Sequence, residues 1–114
     1  MLLRDGAAGL EVFVQERAAT MPFAPAVVVF PGGRVDPADA EAALPEADLR
    51  TLADEMALTV DEARPIVAAA LREVEEECGV RLPAERLRPW ARWLTPVFEP
   101  RRYDTWFFAA AMPD

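Results

Sequence analysis

Apolar and polar positions divide the chain into short strand-like runs on either side of two helical segments. Runs rich in β-branched and aromatic residues predict strands over residues 10–17, 26–30, 87–95 and 103–111. The run 26–30 is wholly apolar and stops at Pro31-Gly32-Gly33, which predicts a buried central strand entering a tight loop. Residues 2–5 resemble the end of a first strand, and residues 99–102 fall in the connection between the last two strands.

The clearest helical pattern lies in the centre of the chain. Thr59 followed three residues later by Glu62 has the spacing of a capping box, and Gly79 stands where a left-handed C-cap belongs. We therefore predict a helix from Thr59 to Cys78. Pro65 removes one backbone hydrogen bond, which predicts a kink or a restart at that residue. The apolar side at helical spacing consists of Ile66, Ala69, Ala70 and Val74.

Composition restricts the class of protein. The chain has 114 residues, 53% of them hydrophobic, which fits one globular domain. Its apolar runs are far shorter than the roughly 20 residues of a membrane helix, and no signal-peptide pattern precedes them. A single cysteine, Cys78, fits a reducing compartment, and we read it as a packing residue. We expect a cytoplasmic protein that is not bound to a membrane.

Charge and missing residue types narrow the chemistry further. The net charge is −8, which makes general nucleic-acid binding unfavourable. The sequence contains no His, Lys, Ser or Asn. This excludes a Ser-His pair, a Schiff-base or P-loop lysine, and histidine metal sites. Carboxylates, arginines, backbone groups and metal ions remain. All 12 basic residues are arginine, a composition typical of GC-rich bacterial genomes.

Three glutamates form the candidate reactive group. Glu73, Glu76 and Glu77 are spaced i, i+3 and i+4, so their carboxylates lie on one side of a helix. Hard divalent cations, Mg²⁺ above all, relieve the resulting repulsion and prefer oxygen ligands. Arg72 lies four residues before Glu76 and can orient the acids. The alternative is a solvated acidic helix face, which is the usual meaning of a glutamate run.

The surrounding residues resemble a known family. Arg72-Glu73-Val74-x-Glu76-Glu77-x-Gly79-Val80 matches the second half of the Nudix box, R-E-U-x-E-E-x-G-U with U aliphatic, and Pro31-Gly32-Gly33 resembles its glycine start. The resemblance covers nearly the whole chain. It implies an α/β fold, a Nudix-like α/β/α sandwich with a mixed sheet.

The resemblance also implies an activity and its residues. The activity is metal-dependent hydrolysis of a diphosphate bond in a nucleoside diphosphate linked to another moiety, with Mg²⁺ or Mn²⁺. Glu73, Glu76 and Glu77 would be the ligands, joined by the backbone carbonyl of Gly32. Glu73 would also be a candidate base toward a metal-bound water, with Arg72 beside it in the catalytic group.

The spacing departs from the usual box. There the second glycine lies fourteen residues before the arginine, whereas Gly33 lies 39 residues before Arg72, so about 25 residues are inserted. The first box glutamate, eight residues before the arginine, would fall on Arg64. We expect Glu62 or Asp61 to take its place.

The inserted segment carries a prediction of its own. It is acidic and Ala-rich over residues 36–58, and helical most clearly over residues 46–57. We assign residues 36–58 to substrate selection or partner contact, with no part in the metal chemistry. A passive helical decoration is the alternative. Residues 30–37 and 99–105 resemble an insertion-containing branch similar to peroxisomal-type coenzyme A diphosphatases, which makes coenzyme A one candidate substrate.

Further residues extend the hypothesis to the substrate. Arg17, Arg34 and Arg102 are candidate phosphate contacts with Gly33, because arginine binds phosphate bidentately, and surface charge balance is the alternative. Three tryptophans are expected in the core: Trp90, Trp93 and Trp106.

The expected completeness of the chain bears on its activity. Nudix domains usually continue past the strand that residues 103–111 resemble, so we expect an incomplete domain over residues 1–114. The alternative function is a catalytically weak Nudix-like module that binds a ligand or a partner. The sequence does not determine the oligomeric state, and a homodimer is one candidate.

Overall fold

The computed structural model describes residues 1–16 and 28–113. The strands are β1 (Leu2–Gly6), β2 (Gly9–Val12), β3 (Gln15–Glu16), β4 (Val28–Val29), β5 (Arg88–Leu94) and β6 (Asp104–Ala111). The helices are α1 (Glu46–Met56) and α2 (Val60–Cys78), with 3-10 turns at Pro37–Glu41 and Ala84–Arg86. None of the helices in this part of the chain is long and apolar enough to cross a membrane.

Four strands form a mixed sheet in the order β2-β1-β6-β5. β1 runs antiparallel to β2 and parallel to β6, with Leu2 opposite Ala110. β5 and β6 form an antiparallel hairpin. The predicted strands at residues 87–95 and 103–111 are confirmed, and so is the predicted α/β class with a mixed sheet.

β3 and β4 form a separate antiparallel pair, in which Gln15 lies opposite Val29. The predicted strand at residues 10–17 is therefore two short strands, and Arg17 lies outside the described residues. The prediction of a buried central strand at residues 26–30 is wrong for its described part. Val28 is 62% exposed, because β4 pairs with β3 alone among the described strands and lies outside the four-stranded sheet that packs against the helices.

The helix α2 begins and ends where its caps predict. Thr59 Oγ1 accepts a hydrogen bond from the Glu62 N–H, and Glu62 Oε1 accepts one from the Thr59 N–H. Gly79 has a φ of 70°, the left-handed conformation that ends helices. The helix does not restart at Pro65, since it continues to Cys78 and loses only one hydrogen bond near its N-terminus.

The core is built largely by α1 and α2 against the sheet. The buried residues of α1 are Leu49, Leu52, Ala53 and Met56. They pack with Ala63 and Val67 of α2 and with Leu2 and Phe108 of the sheet. The inserted segment is therefore part of the core, because α1 supplies apolar surface to the sheet and α2. Its role in substrate selection or partner contact stays a prediction.

Two of the three tryptophans are not in the core. Trp90 is 73% exposed and Trp93 is 71% exposed, whereas Trp106 packs against the core. β5 is an edge strand of the mixed sheet, and its register places Arg92 opposite Trp106. Since side chains alternate along a strand, Trp93 faces away from the core, and Trp90 lies in the bulge between Pro89 and Ala91.

Shortening Leu49 tests whether α1 is part of the core. Leu49 is fully buried, so Leu49→Ala should lower the free energy of unfolding by about 2–5 kcal/mol. Urea denaturation measures the change, and Glu55→Ala on the exposed side of α1 is the matched control. Equal stability of the two variants would contradict a structural role for α1.

Candidate metal centre

The glycine loop, Pro31-Gly32-Gly33, lies directly against the acidic side of α2, which carries Glu73, Glu76 and Glu77. The Gly32 N–H donates a hydrogen bond of 2.9 Å to Glu77 Oε2. A Cβ atom built on Gly33 would lie 2.5 Å from the Glu73 carboxyl carbon, closer than real contacts allow. A side chain at position 33 would therefore displace that carboxylate from its present position. The structure thus brings together Gly32, Gly33, Glu73 and Glu77, as the sequence predicts.

Arg72 connects the loop, the following 3-10 turn and two of the glutamates. Its Nη1 donates to Glu73 Oε1 at 2.9 Å and to Glu76 Oε2 at 3.3 Å. Its Nη2 donates to the Arg34 carbonyl at 2.9 Å. The side chain is mostly buried, and these bonds fix the carboxylates of Glu73 and Glu76 relative to the loop.

The partner that fixes Arg72 is Asp39, which was not among the predicted site residues. Asp39 is only 5% exposed. It accepts two parallel bonds from Arg72, each 3.0 Å long, and a 2.7 Å bond from the Asp36 N–H. This two-bond geometry is the strong form of an arginine–carboxylate pair. Asp39 is therefore the carboxylate on which the position of Arg72 depends.

The expected substitutes for the first box glutamate do not contact Arg72. Glu62 is engaged in the helix cap with Thr59, and Asp61 makes no bond to Arg72. The spacing of the box does identify the residue that takes the glutamate's place. In the usual spacing the first glutamate follows the second glycine by six residues, and six residues after Gly33 is Asp39. The inserted residues accordingly lie between Asp39 and Arg72.

This contact adds to the role predicted for residues 36–58. Their 3-10 turn places Asp39 against Arg72, which bonds Glu73. That the segment supplies no metal ligand stays a prediction. The turn begins with Pro37 in its first position, which suits the start of a helical turn. The segment is part of the site's support.

The electrostatics of the pair favour both charged forms. The hydrogen bonds from Arg72 hold the pKa of Asp39 below its ordinary value, although burial opposes them. The bonds to Asp39 raise the pKa of Arg72 above its ordinary value. Burial raises the pKa of the Cys78 thiol, and the nearby Glu77 adds to the effect. The thiol thus stays protonated near neutral pH, as a packing residue would.

Other predicted site residues lie apart from this network. The Arg34 guanidinium makes no bond within residues 1–16 and 28–113, and only its carbonyl contacts Arg72. The Arg102 guanidinium lies 3.5 Å from the Thr95 carbonyl in the β5–β6 connection. Arg17 is outside the described residues. Phosphate binding by these three arginines stays a prediction.

The donor set fits a hard divalent cation. Three carboxylates share one helix side, and the Gly32 N–H bonds Glu77 beside them, while a Cβ on Gly33 would displace the Glu73 carboxylate. In their present positions, no three acidic, His or Cys side chains of the described residues surround a common point. Arg72 bonds Glu73 and Glu76, and the Gly32 N–H bonds Glu77.

Comparison with known proteins adds one structural likeness. No protein-family model and no curated protein matches the chain. The fold is similar to the crystal structure of a Nudix hydrolase from Alicyclobacillus acidocaldarius, with a TM-score of 0.72 and 26% sequence identity. The match covers 96% of this chain and 66% of that one. It supports placing the chain in the Nudix superfamily.

Removing the charge of Asp39 should destabilise the protein in a pH-dependent way. Asp39→Asn should lower the free energy of unfolding by about 1.5–3 kcal/mol at neutral pH, because Arg72 loses its charged partner. A carboxyl whose pKa is lowered by folding stabilises the fold fully above its unfolded pKa of about 4 and loses that effect as the pH falls. The difference between the two proteins should therefore shrink in acid, measured by urea denaturation at several pH values.

Asp36→Asn is the control for that substitution. Asp36 is mostly exposed and lies 3.5 Å from Arg72, so its ion pair should contribute at most about 1 kcal/mol. Asparagine also preserves the capping ability of the position. If Asp39→Asn cost no more than Asp36→Asn, or cost as much in acid as at neutral pH, the buried pair would not have the role described.

Proposed function

We propose that this protein is a Nudix-type hydrolase that cleaves a diphosphate bond in a nucleoside diphosphate linked to another moiety, using Mg²⁺ or Mn²⁺. One observation carries the proposal. The glycine loop and the box arginine meet the acidic side of α2, with Gly32 bonded to Glu77 and Arg72 bonded to Glu73. Residues 45 positions apart in sequence, Gly32 and Glu77, are thereby brought into one site.

We assign separate roles in the proposed reaction to the glutamates of α2 and to Arg34. When bound, the ions would neutralise the diphosphate and lower the pKa of the attacking water. Glu73, Glu76 and Glu77 would hold them. Glu73 is also the candidate base, since Arg72 holds its Oε1 and no donor among the described residues bonds its Oε2. Arg34 follows the loop and offers a guanidinium for a phosphate oxygen.

Coenzyme A is one member of the proposed substrate class. It contains a nucleoside diphosphate joined to a second moiety, and the runs at residues 30–37 and 99–105 resemble the branch that cleaves it. A hydrolysis screen with Mg²⁺ over coenzyme A, ADP-ribose, NADH and nucleoside triphosphates tests the class. Preference for the triphosphates over all three linked diphosphates would contradict the proposal.

Substituting Glu76 or Glu77 tests their assignment as metal ligands. Glu76→Gln and Glu77→Gln should each lower turnover by about 10²-fold, because each removes an anionic ligand. Glu75→Gln is the matched control, since Glu75 lies on the same helix but bonds Arg81 at 2.9 Å. Near-normal turnover of Glu77→Gln at saturating Mg²⁺, with the best substrate of the screen, would exclude Glu77 as a ligand.

Metal binding should also stabilise the fold. At a concentration a hundred times its dissociation constant, an ion that binds only the folded state adds about 2.7 kcal/mol. Thermal denaturation should show a higher midpoint with Mg²⁺ or Mn²⁺, and a smaller shift for Glu77→Gln. A midpoint that Mn²⁺ does not raise, or raises equally in both proteins, would argue against a site at these glutamates.

A Nudix-like binding module is the second candidate function. It is favoured by the exposed apolar side chains along β5 and the β5–β6 connection, namely Trp90, Trp93, Val97 and Phe98. Apolar patches of this kind commonly mark interaction sites. A protein that binds Mn²⁺ and a nucleotide without turnover would have this second function.

A further inference from the structure

We propose that Gln15 is a positioning residue for Glu77, and this inference rests on the proposed metal-dependent function. Gln15 lies outside the Nudix box, 62 residues before Glu77 in the sequence. Its side-chain Nε2 donates a hydrogen bond of 3.0 Å to Glu77 Oε2. The Gly32 N–H donates to the same oxygen at 2.9 Å. Two donors from two different segments thus converge on one carboxylate oxygen.

The chemistry of the two side chains fixes which group of Gln15 faces Glu77. An ionised carboxylate only accepts hydrogen bonds, so the amide must present its NH₂ and not its oxygen. Both bonds go to Oε2, and no donor among the described residues bonds Oε1 of Glu77. The arrangement holds the carboxylate by one oxygen and leaves the other for a cation.

The short β3–β4 pair explains how a residue this distant reaches the site. Gln15 lies opposite Val29 in the antiparallel register. β4 ends at Val29, three residues before Gly32. The strand pairing therefore determines the distance between the two groups that donate to Glu77, the Gln15 side-chain amide and the Gly32 N–H. We assign this two-stranded sheet the task of holding Gln15 and Gly32 in register with the glutamates of α2.

The position of Gln15 is important because a residue that hydrogen-bonds a metal ligand fixes the orientation of that ligand. Loss of such a partner typically weakens metal binding about 10–100-fold. A glutamate without partners would sample several rotamers, of which only some direct an oxygen at the ion. Gln15 should accordingly affect metal affinity through Glu77 without contacting the ion.

Mn²⁺ affinity is the direct test, measured by titration with electron paramagnetic resonance detection of the free ion. Gln15→Met preserves the length of the side chain and removes the donor, and it should raise the dissociation constant about tenfold or more. Glu16→Met on the opposite face of β3 is the matched control and should bind as the wild type does. Gln15→Leu repeats the test with a residue that favours strands. Circular dichroism verifies that each variant is folded.

A double-mutant cycle separates positioning from a general effect on the fold. If Gln15 acts through Glu77, then Gln15→Met should cause no further loss of Mn²⁺ affinity in the Glu77→Gln protein, because the carboxylate it orients is absent. Additive losses would overturn the inference, as would equal weakening by Glu16→Met.

The outcomes distinguish this inference from the proposed function. Wild-type affinity in Gln15→Met and Gln15→Leu, together with a loss in Glu77→Gln, would overturn the role of Gln15 and leave the metal site standing. A wild-type protein that does not bind Mn²⁺ saturably would overturn both.

Discussion

The buried pair of Asp39 and Arg72 is the interaction on which the candidate site depends. A carboxylate with 5% exposure is stable in its charged form only when hydrogen bonds replace the water it loses. Arg72 supplies two of these bonds and is itself fixed in return. Because Arg72 precedes Glu73 directly and Glu76 by about one helical turn, fixing its guanidinium also fixes the acidic side of α2. The glycine loop, the 3-10 turn and α2 are thereby joined at one point.

This pair also explains how the fold accommodates an interrupted box. The chain between Asp39 and Arg72 forms α1 and the first part of α2. Asp39 and Arg72, at the two ends of this segment, are bonded to each other. Lengthening a connection raises its closure entropy by only about 0.6 kcal/mol per doubling. The buried side chains of α1 offset that cost, since they complete the core between α2 and the sheet. The extra residues are therefore integrated into the domain while the Asp39–Arg72 contact is preserved.

Local signals in the sequence were sufficient wherever a structure depends on near neighbours. The capping pair Thr59 and Glu62 and the left-handed Gly79 defined α2 to the residue. Exposure was harder to predict, because it depends on what lies across the sheet. Trp93 has the composition of a core residue, but an edge strand and its register turn it outward. Asp39 could not be predicted from its distance to Arg72, because the insertion lies between the two residues and only the distance from Gly33 keeps the usual spacing. Gln15 carries no local signal at all, since its contact with Glu77 depends on strand pairing.

The balance of charge at the site supports the cation that we propose. Arg72 is bonded or paired with Asp36, Asp39, Glu73 and Glu76, and Glu77 lies on the same helix side. One guanidinium cannot neutralise five carboxylates, and the chain as a whole carries a net charge of −8. A structural ion-pair network would gain from a second basic residue, yet the nearby Arg34 side chain bonds none of these acids within the described residues. The remaining negative charge lies on Glu73, Glu76 and Glu77, where oxygen ligands suit Mg²⁺ or Mn²⁺. The repulsion retained there is what a divalent ion would relieve, which links the stability of α2 to the proposed activity.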